Sequence, residues 1–120
     1  MSHHHLFVYG TLRRGCDNQF AQLLSERGQF ISAARVPGRL YDFGSYPGAR
    51  RTDLPNELIL GEIFYLEEPA AVLAILDDYE GPEFERAIVS TTGTLDCWIY
   101  WYVGLETGHP IVFGDWLKRQ

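Results

Sequence analysis

The chain has 120 residues, 46% of them hydrophobic, and a formal net charge of -6 at pH 7. A chain of this length can bury one core, so we expect a single domain over residues 1–120. Its net negative charge disfavours a nucleic-acid partner, and its apolar runs are too short to cross a membrane. Its two cysteines make no disulfide framework, so we expect a cytoplasmic protein.

Three consecutive histidines, His3, His4 and His5, follow the first two residues. Neighbouring side chains of an extended segment point to opposite sides, so these three do not form a preorganised metal site. We therefore expect no metal here and interpret residues 1–5 as an expression-tag remnant or a flexible N-terminus.

The rest of the chain predicts short strands and two helices. In chain order these are a strand at 6–9, a helix from Asp17 or Asn18 to Arg27, strands at 30–36, 40–43 and 57–66, a helix from Pro69 with a stripe at 72, 75, 76 and 79, strands at 84–92, 95–103 and 111–113, and a helical turn at 114–117. Strands do not alternate regularly with helices, which disfavours a doubly wound fold. We predict an α+β fold, namely a small mixed or antiparallel β-barrel, closed or partly closed, with short helices outside it.

The first predicted strand breaks at Gly10 into a polar loop that ends at Gly15. Because glycine has no Cβ, a ligand can approach the backbone closely there, and the N–H groups of such a loop can hold an anionic or carbonyl ligand. The two glycines have the spacing of a nucleotide-binding loop, but Cys16 and Asp17 stand where lysine and serine or threonine are required. Nucleotide binding is therefore disfavoured, and a tight turn without a ligand is the alternative.

A second polar segment, residues 77–86, carries five carboxylates where the second helix is expected to end. The partial negative charge of a helix C-terminus and the neighbouring carboxylates both favour the protonated form, which raises the pKa of a carboxyl group there. A carboxylate with a raised pKa is a better general base near neutral pH. The alternative is a solvated acidic loop.

Four short motifs occur in order along almost the whole chain: Tyr9-Gly10-Thr11-Leu12, Gly44-x-Tyr46-Pro47-Gly48, Leu76-Asp77-x-x-Glu80-Gly81 and Gly114-Asp115-Trp116-Leu117. The second motif is also a strongly turn-forming sequence. Together the motifs resemble the γ-glutamylcyclotransferase-like family, above all its small bacterial members and the γ-glutamylamine cyclotransferases. The resemblance implies a β-barrel with a cavity in which a γ-glutamyl group is cyclised to 5-oxoproline while the attached amine or amino acid is released.

The resemblance also implies roles for individual residues. Glu80 would be the general base for the substrate's α-amine, and the loop at 9–12 would hold the glutamyl group, with backbone N–H groups available to its α-carboxylate or to a developing oxyanion. No metal or cofactor is required, because an intramolecular attack needs only near-attack geometry and one proton transfer. Tyr46 and Tyr100 are candidates for the cavity wall, with ordinary packed tyrosines as the alternative. Phe84 stands where the family often has a tyrosine, which bears on substrate orientation.

Two other interpretations use the same regions of the chain. A thiol enzyme would use Cys16 with His109 as its base, although Asp17 works against a thiolate. A non-catalytic barrel would bind a small metabolite, and Glu80 would only recognise its amine.

The sequence leaves the oligomeric state open, and it does not identify the group attached to the glutamyl nitrogen. The candidates for that group are an amino acid, glutathione, the ε-amine of a lysine in an isopeptide and a biosynthetic amine. Four arginines in predicted loops either bind an acidic leaving group or are solvated: Arg13, Arg14, Arg50 and Arg51.

Overall fold

The computed structural model describes residues 3–54, 56–111 and 114–118. In this part of the chain, eight strands form one sheet, which is accompanied by two α-helices and a 3₁₀ turn. The strands are β1 (His5–Val8), β2 (Gly28–Pro37), β3 (Arg39–Asp42), β4 (Pro47–Arg50), β5 (Leu58–Leu66), β6 (Phe84–Ser90), β7 (Asp96–Tyr102) and β8 (His109–Pro110). The helices are α1 (Gln19–Arg27) and α2 (Pro69–Glu80), and the 3₁₀ turn spans Trp116–Lys118.

The sheet is mixed and curls into a half-barrel, which confirms the predicted fold class. Its strands lie in the order β2-β5-β1-β7-β4-β3-β8, and β6 also pairs with β7. Both β1 and β4 run parallel to β7, with Leu6 opposite Trp98 and Ala49 opposite Trp101. Because β1 and β4 follow one another along the same edge of β7, the sheet has a break between the end of β1 and the start of β4.

The first strand, β1, is buried on both faces, which explains why its sequence is a continuous apolar run. Leu6 and Val8 pack with the apolar sides of the two helices, whereas Phe7 and the following Tyr9 belong to the core inside the curled sheet. The polar loop after β1 therefore begins from a strand that two cores hold in place.

Both helices begin where the sequence predicts. The Asn18 side chain caps α1 by accepting hydrogen bonds from two N–H groups of its first turn, and Pro69 opens α2. The buried face of α2 differs from the predicted stripe, since Leu73 is buried and Ile75 is 39% exposed. Residues 70–76 are all apolar, so the helical period does not fix the buried face by itself. No helix in the described part of the chain is long and apolar enough to span a membrane.

The segment from Pro47 to Arg50 is a strand, although its sequence predicts a turn. It becomes β4 because it pairs with β3 on one side and β7 on the other. A Cβ at Gly48 would lie 2.9 Å from the Cβ of Tyr102, so this glycine permits close packing instead of a turn.

The N-terminal histidines that the structure describes are paired with the sheet. His5 opens β1 opposite Tyr65, and the Nδ1 atom of His4 lies 2.8 Å from the carbonyl oxygen of Leu66. That residues 1–5 are a tag remnant stays a prediction.

The C-terminal end forms the predicted helical turn. The Asp115 carboxylate accepts a hydrogen bond from the N–H of Leu117 (3.0 Å), which caps the 3₁₀ turn. Of the strand predicted at 111–113, residues 112 and 113 lie outside the described residues, and β8 ends just before it.

Candidate active site

A cavity of about 380 Å³ opens at the break between β1 and β4. Its walls come from the loop after β1, from the segment that leads into β4, from β7 and from the end of α2. All seven residues proposed from the sequence as site residues line this one cavity: Tyr9, Gly10, Thr11, Leu12, Tyr46, Glu80 and Tyr100. The fold thus brings three of the four motifs together, while the role of each residue stays a prediction.

The hydroxyl group of Tyr9 bridges the break in the sheet. It donates a hydrogen bond to the carbonyl oxygen of Tyr100 on β7 (2.6 Å) and accepts one from the N–H of Ala49 on β4 (3.3 Å). Burial, and then the negative charge of Glu80, raise the pKa of this hydroxyl, so it stays protonated at neutral pH. Tyr9 therefore joins three strands at the cavity and does not act as a free acid or base.

The loop after β1 is held against both helices. A Cβ at Gly10 would collide with the proline that opens β4, so only glycine lets the loop pass this close. The Thr11 hydroxyl lies 3.0 Å from the Tyr79 hydroxyl of α2, and the side chain of Asn18 donates to the Thr11 carbonyl oxygen (2.8 Å). Among the described residues, none of the hydrogen bonds is donated by the N–H groups of Gly10, Thr11 or Leu12. These three N–H groups therefore have no protein acceptor in the described chain, and the residues that carry them line the cavity.

Behind this loop lies a buried carboxylate that the sequence analysis missed. Glu62 on β5 is 5% exposed, accepts a hydrogen bond from the N–H of Arg14 (2.8 Å) and has its Oε2 atom 3.5 Å from the Nε of Arg13. Arg13 also donates to Asp115 (2.8 Å), which ties the loop to the C-terminal turn. The available signal was a single acidic residue inside the apolar sequence of β5, since a buried charge has to be paired.

Glu80 is the last residue of α2, and its carboxyl group receives no hydrogen bond or ion pair from the described residues. Burial raises the pKa of this carboxyl group to about 7. The direction of this pKa shift agrees with the prediction from the sequence, but its cause is burial and not the predicted helix dipole and neighbouring carboxylates. Gly81 follows with a φ of 83°, a backbone conformation that ends the helix and leaves Glu80 beside the cavity.

The pKa of Asp77, one helical turn before Glu80, is shifted in the opposite direction. Burial alone would raise the pKa of Asp77, but hydrogen bonds from Arg86 (2.8 and 3.1 Å) and from the Tyr100 hydroxyl (2.7 Å) outweigh it, and the pKa is lowered. The acidic segment is therefore not a uniform cluster. Asp77 is a charged anchor for Tyr100, whereas Glu80 titrates near neutral pH.

The remaining wall of the cavity is aromatic. Tyr46 stacks on Phe43, with ring centroids 5.5 Å apart, and Phe84 lies between Tyr46 (6.3 Å) and Tyr102 (5.4 Å). Phe84, which replaces the tyrosine expected from the family, therefore contributes ring contacts and no hydroxyl. Glu83, which the sequence analysis did not single out, lines the same side.

The thiol mechanism finds no support in the structure. The Cys16 thiol faces the carbonyl oxygen of Gly10 (3.7 Å), and burial raises its pKa despite the nearby charge of Arg13. A thiol that stays protonated at neutral pH is a poor nucleophile. In the segments 3–54, 56–111 and 114–118, no three His, Cys, Asp or Glu side chains are grouped so that they could hold a metal ion.

The sequence matches the family model described as gamma-glutamyl cyclotransferase, AIG2-like, over residues 6–118. The chain belongs to this family. One relative is the "Putative gamma-glutamylcyclotransferase" of Vibrio cholerae. It is 37% identical to this chain over 123 residues, and the match covers 97% of each protein. Another is the "Gamma-L-glutamyl-butirosin B gamma-glutamyl cyclotransferase" of Niallia circulans, which is 34% identical over 124 residues covering 92% of this chain and 74% of that protein.

The fold agrees with a solved structure that carries the same family description. The crystal structure of an AIG2-like protein from Mus musculus superposes with a TM-score of 0.71 at 23% identity, covering 98% of this chain and 84% of that chain. The resemblance drawn from the four motifs is thus confirmed at the level of fold and family. The names of the relatives support an enzyme of the γ-glutamylcyclotransferase type.

Proposed function

We propose that this γ-glutamyl cyclotransferase family member acts on γ-glutamyl amines or γ-glutamyl amino acids, releasing 5-oxoproline and the free amine, with Glu80 as the general base. The observation that carries the proposal is the Glu80 carboxyl group, which has no protein partner in the described chain and lines the same cavity as Gly10, Thr11 and Leu12, whose N–H groups donate no hydrogen bond there. With a pKa raised to about 7, the group is half ionised at neutral pH. It can therefore both accept and return a proton.

The proposed reaction needs one base and balances without a cofactor. The α-nitrogen of the substrate attacks the γ-carbonyl carbon and closes a five-membered ring, while Glu80 takes a proton from that nitrogen. The bond between this carbonyl carbon and the leaving nitrogen then breaks, and Glu80 returns the proton to the leaving nitrogen. The products are 5-oxoproline and a free amine, and the carboxylate is restored.

The loop at 9–12 would supply the second requirement, which is orientation. A flexible glutamyl chain has to be folded so that its two ends meet, and holding it in that geometry lowers the barrier by several kcal/mol. The N–H groups of Gly10, Thr11 and Leu12 would hold the α-carboxylate or the developing oxyanion. Their positions are fixed in advance, because Thr11 is hydrogen-bonded to Tyr79 of α2 and to Asn18, the residue that caps α1.

The first test is a screen of γ-glutamyl amino acids and γ-glutamyl amines for release of 5-oxoproline, with Glu80→Gln in parallel. The matched control is Asp78→Asn, which removes an exposed carboxylate from the same helix. We expect the wild type and Asp78→Asn to turn over equally, and Glu80→Gln to lose about 10²- to 10⁴-fold in kcat. Wild-type turnover by Glu80→Gln would show that another group is the base.

A different result in the same screen would favour a binding protein of the same fold. If the wild type releases no 5-oxoproline but binds γ-glutamyl compounds in calorimetry, then the cavity recognises a small metabolite without transforming it. Glu80→Gln should then weaken binding, because Glu80 would pair with the ligand's amine.

A further inference from the structure

We infer that Tyr79 is a positioning residue for the proposed reaction. The contact between its hydroxyl group and that of Thr11 fixes the loop 9–12 relative to Glu80, so that the base and the backbone N–H groups act on one folded substrate. This inference rests on the proposed function, and it gives a role in that function to a side chain that the four sequence motifs leave unspecified.

The two halves of the proposed catalytic apparatus belong to different elements. Glu80 is the last residue of α2, whereas the N–H groups belong to the loop after β1. In the described part of the chain, the contact between the Thr11 and Tyr79 hydroxyls (3.0 Å) is the only hydrogen bond that joins this loop to α2, and both residues line the cavity. The α-nitrogen at Glu80 has to reach the γ-carbonyl carbon held by the loop, so a shift of the loop against α2 changes the geometry of the attack.

The first turn of α1 holds both partners of this hydrogen bond. The Tyr79 ring stacks on Phe20, with centroids 4.1 Å apart and planes at 27°. Asn18, which caps the same helix, donates a hydrogen bond to the carbonyl oxygen of Thr11 (2.8 Å). The contacts among these four residues therefore close a ring, and the Tyr79 hydroxyl is held in place before a substrate binds.

The other polar anchor at the end of α2 does not reach the loop. Asp77 accepts hydrogen bonds from Arg86 of β6 and from the hydroxyl of Tyr100 on β7, which fixes the helix end against the sheet. These contacts help to place Glu80, but they leave the position of the loop relative to it open. Tyr79 supplies that second constraint.

The hydrogen bond between Thr11 and Tyr79 joins two uncharged groups. Its loss leaves the charge of the cavity unchanged, so the pKa of Glu80, which burial raises to about 7, should stay where it is. A positioning role therefore predicts a lower kcat with an unchanged pH midpoint of kcat/KM.

Two variants break this hydrogen bond from opposite sides. Tyr79→Phe keeps the ring that stacks on Phe20, and Thr11→Val keeps a branched side chain and the backbone N–H. Leu12 remains in the apolar cluster that includes Leu76 of α2, so the loop should stay folded and bind substrate. On a substrate that the wild type turns over, we expect each variant to lose about tenfold in kcat, with KM changed less than about threefold.

The double variant tests whether the two residues act through each other. Because both substitutions break the same bond, Thr11→Val combined with Tyr79→Phe should lose about tenfold in kcat, as each single variant does. Independent effects would multiply to about a hundredfold.

The control for lost stability is Thr91→Val. The buried hydroxyl of Thr91 accepts a hydrogen bond from the N–H of Leu95 (3.3 Å) in the turn between β6 and β7, and Thr91 does not line this cavity. Thr91→Val and Tyr79→Phe should each lower the midpoint of urea unfolding by about 0.5 M, but Thr91→Val should keep the wild-type kcat.

Wild-type kcat in Tyr79→Phe, a shifted pH midpoint, multiplied losses in the double variant or an equal loss of kcat in Thr91→Val would each overturn this inference and leave the proposed function standing. If the wild type releases no 5-oxoproline from any γ-glutamyl compound in the panel, the proposed function fails and this inference with it.

Discussion

At the scale of single residues, Asp77 and Glu80 show how the same chemical group takes two roles one helical turn apart. Asp77 receives three hydrogen bonds from Arg86 and Tyr100, so its charged form is stabilised. Glu80 is half-buried and has no such partners, so its neutral form is favoured. Partners, and not position along the acidic segment, decide which carboxyl group titrates near neutral pH.

The pKa of Glu80 predicts the pH dependence of the proposed reaction. A general base acts in its ionised form, so kcat/KM should rise about tenfold per pH unit below 7 and level off above it. Initial rates of 5-oxoproline release between pH 5 and 8 measure this rise in kcat/KM. An activity that stays constant down to pH 5 would contradict a base with this pKa.

The same pKa predicts that Glu80 costs stability at high pH. Between its usual pKa of 4.5 and about 7, the unfolded chain carries a charged Glu80 and the folded chain a neutral one, so stability falls as pH rises through this window. At pH 8, the free energy of unfolding of Glu80→Gln should therefore exceed that of the wild type by up to about 3 kcal/mol. At pH 4, the two proteins should unfold at about the same urea concentration. Asp78→Asn provides the control, and an equal shift at both pH values would argue against a charge effect.

At the scale of elements, the loop after β1 depends on a carboxylate that belongs to a different strand. Glu62 of β5 holds the N–H of Arg14 and the side chain of Arg13, and Arg13 in turn holds Asp115 of the C-terminal turn. The loop at the cavity is thus held in place by three charged side chains, Glu62, Arg13 and Asp115, which do not line the cavity themselves.

Replacing Glu62 should therefore affect both folding and substrate affinity. Glu62→Gln keeps an acceptor for the Arg14 N–H but leaves Arg13 partly uncompensated in a buried site, so we expect a loss of about 2–3 kcal/mol in the free energy of unfolding. Because the loop is less firmly held, KM should rise roughly tenfold, with a smaller change in kcat. Urea titration and steady-state kinetics measure the two effects.

The control for this experiment is Glu57→Gln. Glu57 pairs with Arg39 at 3.2 Å in a more exposed position, and an ion pair of this kind contributes under about 1 kcal/mol. If Glu57→Gln and Glu62→Gln changed stability and KM equally, the prediction that Glu62 holds the loop in place would be wrong.

At the scale of the whole molecule, the sequence predicts the features that depend on local chemistry. The glycine break after β1, the Asn18 cap and Pro69 at the start of α2 are each encoded within a few residues, and the motifs locate the loop 9–12 and Glu80. Features that depend on distant partners were not predicted. The sequence at Pro47 and Gly48 predicts a turn, but these residues form a strand because they lie beside β3 and β7. The paired state of Glu62 likewise requires residues far away in the chain.

The parallel pairing of β1 and β4 with one edge of β7 has a consequence for how such a site can change. The loop that would hold the glutamyl group is attached to β1, and the aromatic segment that would meet the leaving group leads into β4. Each pairs with β7 through its own strand, and the contacts described between them, from Tyr9 to Ala49 and from Gly10 to Pro47, do not involve residues 43–46, so this segment can be altered while the loop keeps its place. Substitutions or insertions between Phe43 and Tyr46 should therefore redirect the enzyme to new amines without rebuilding the apparatus for cyclisation, which makes this short segment the natural starting point for engineering.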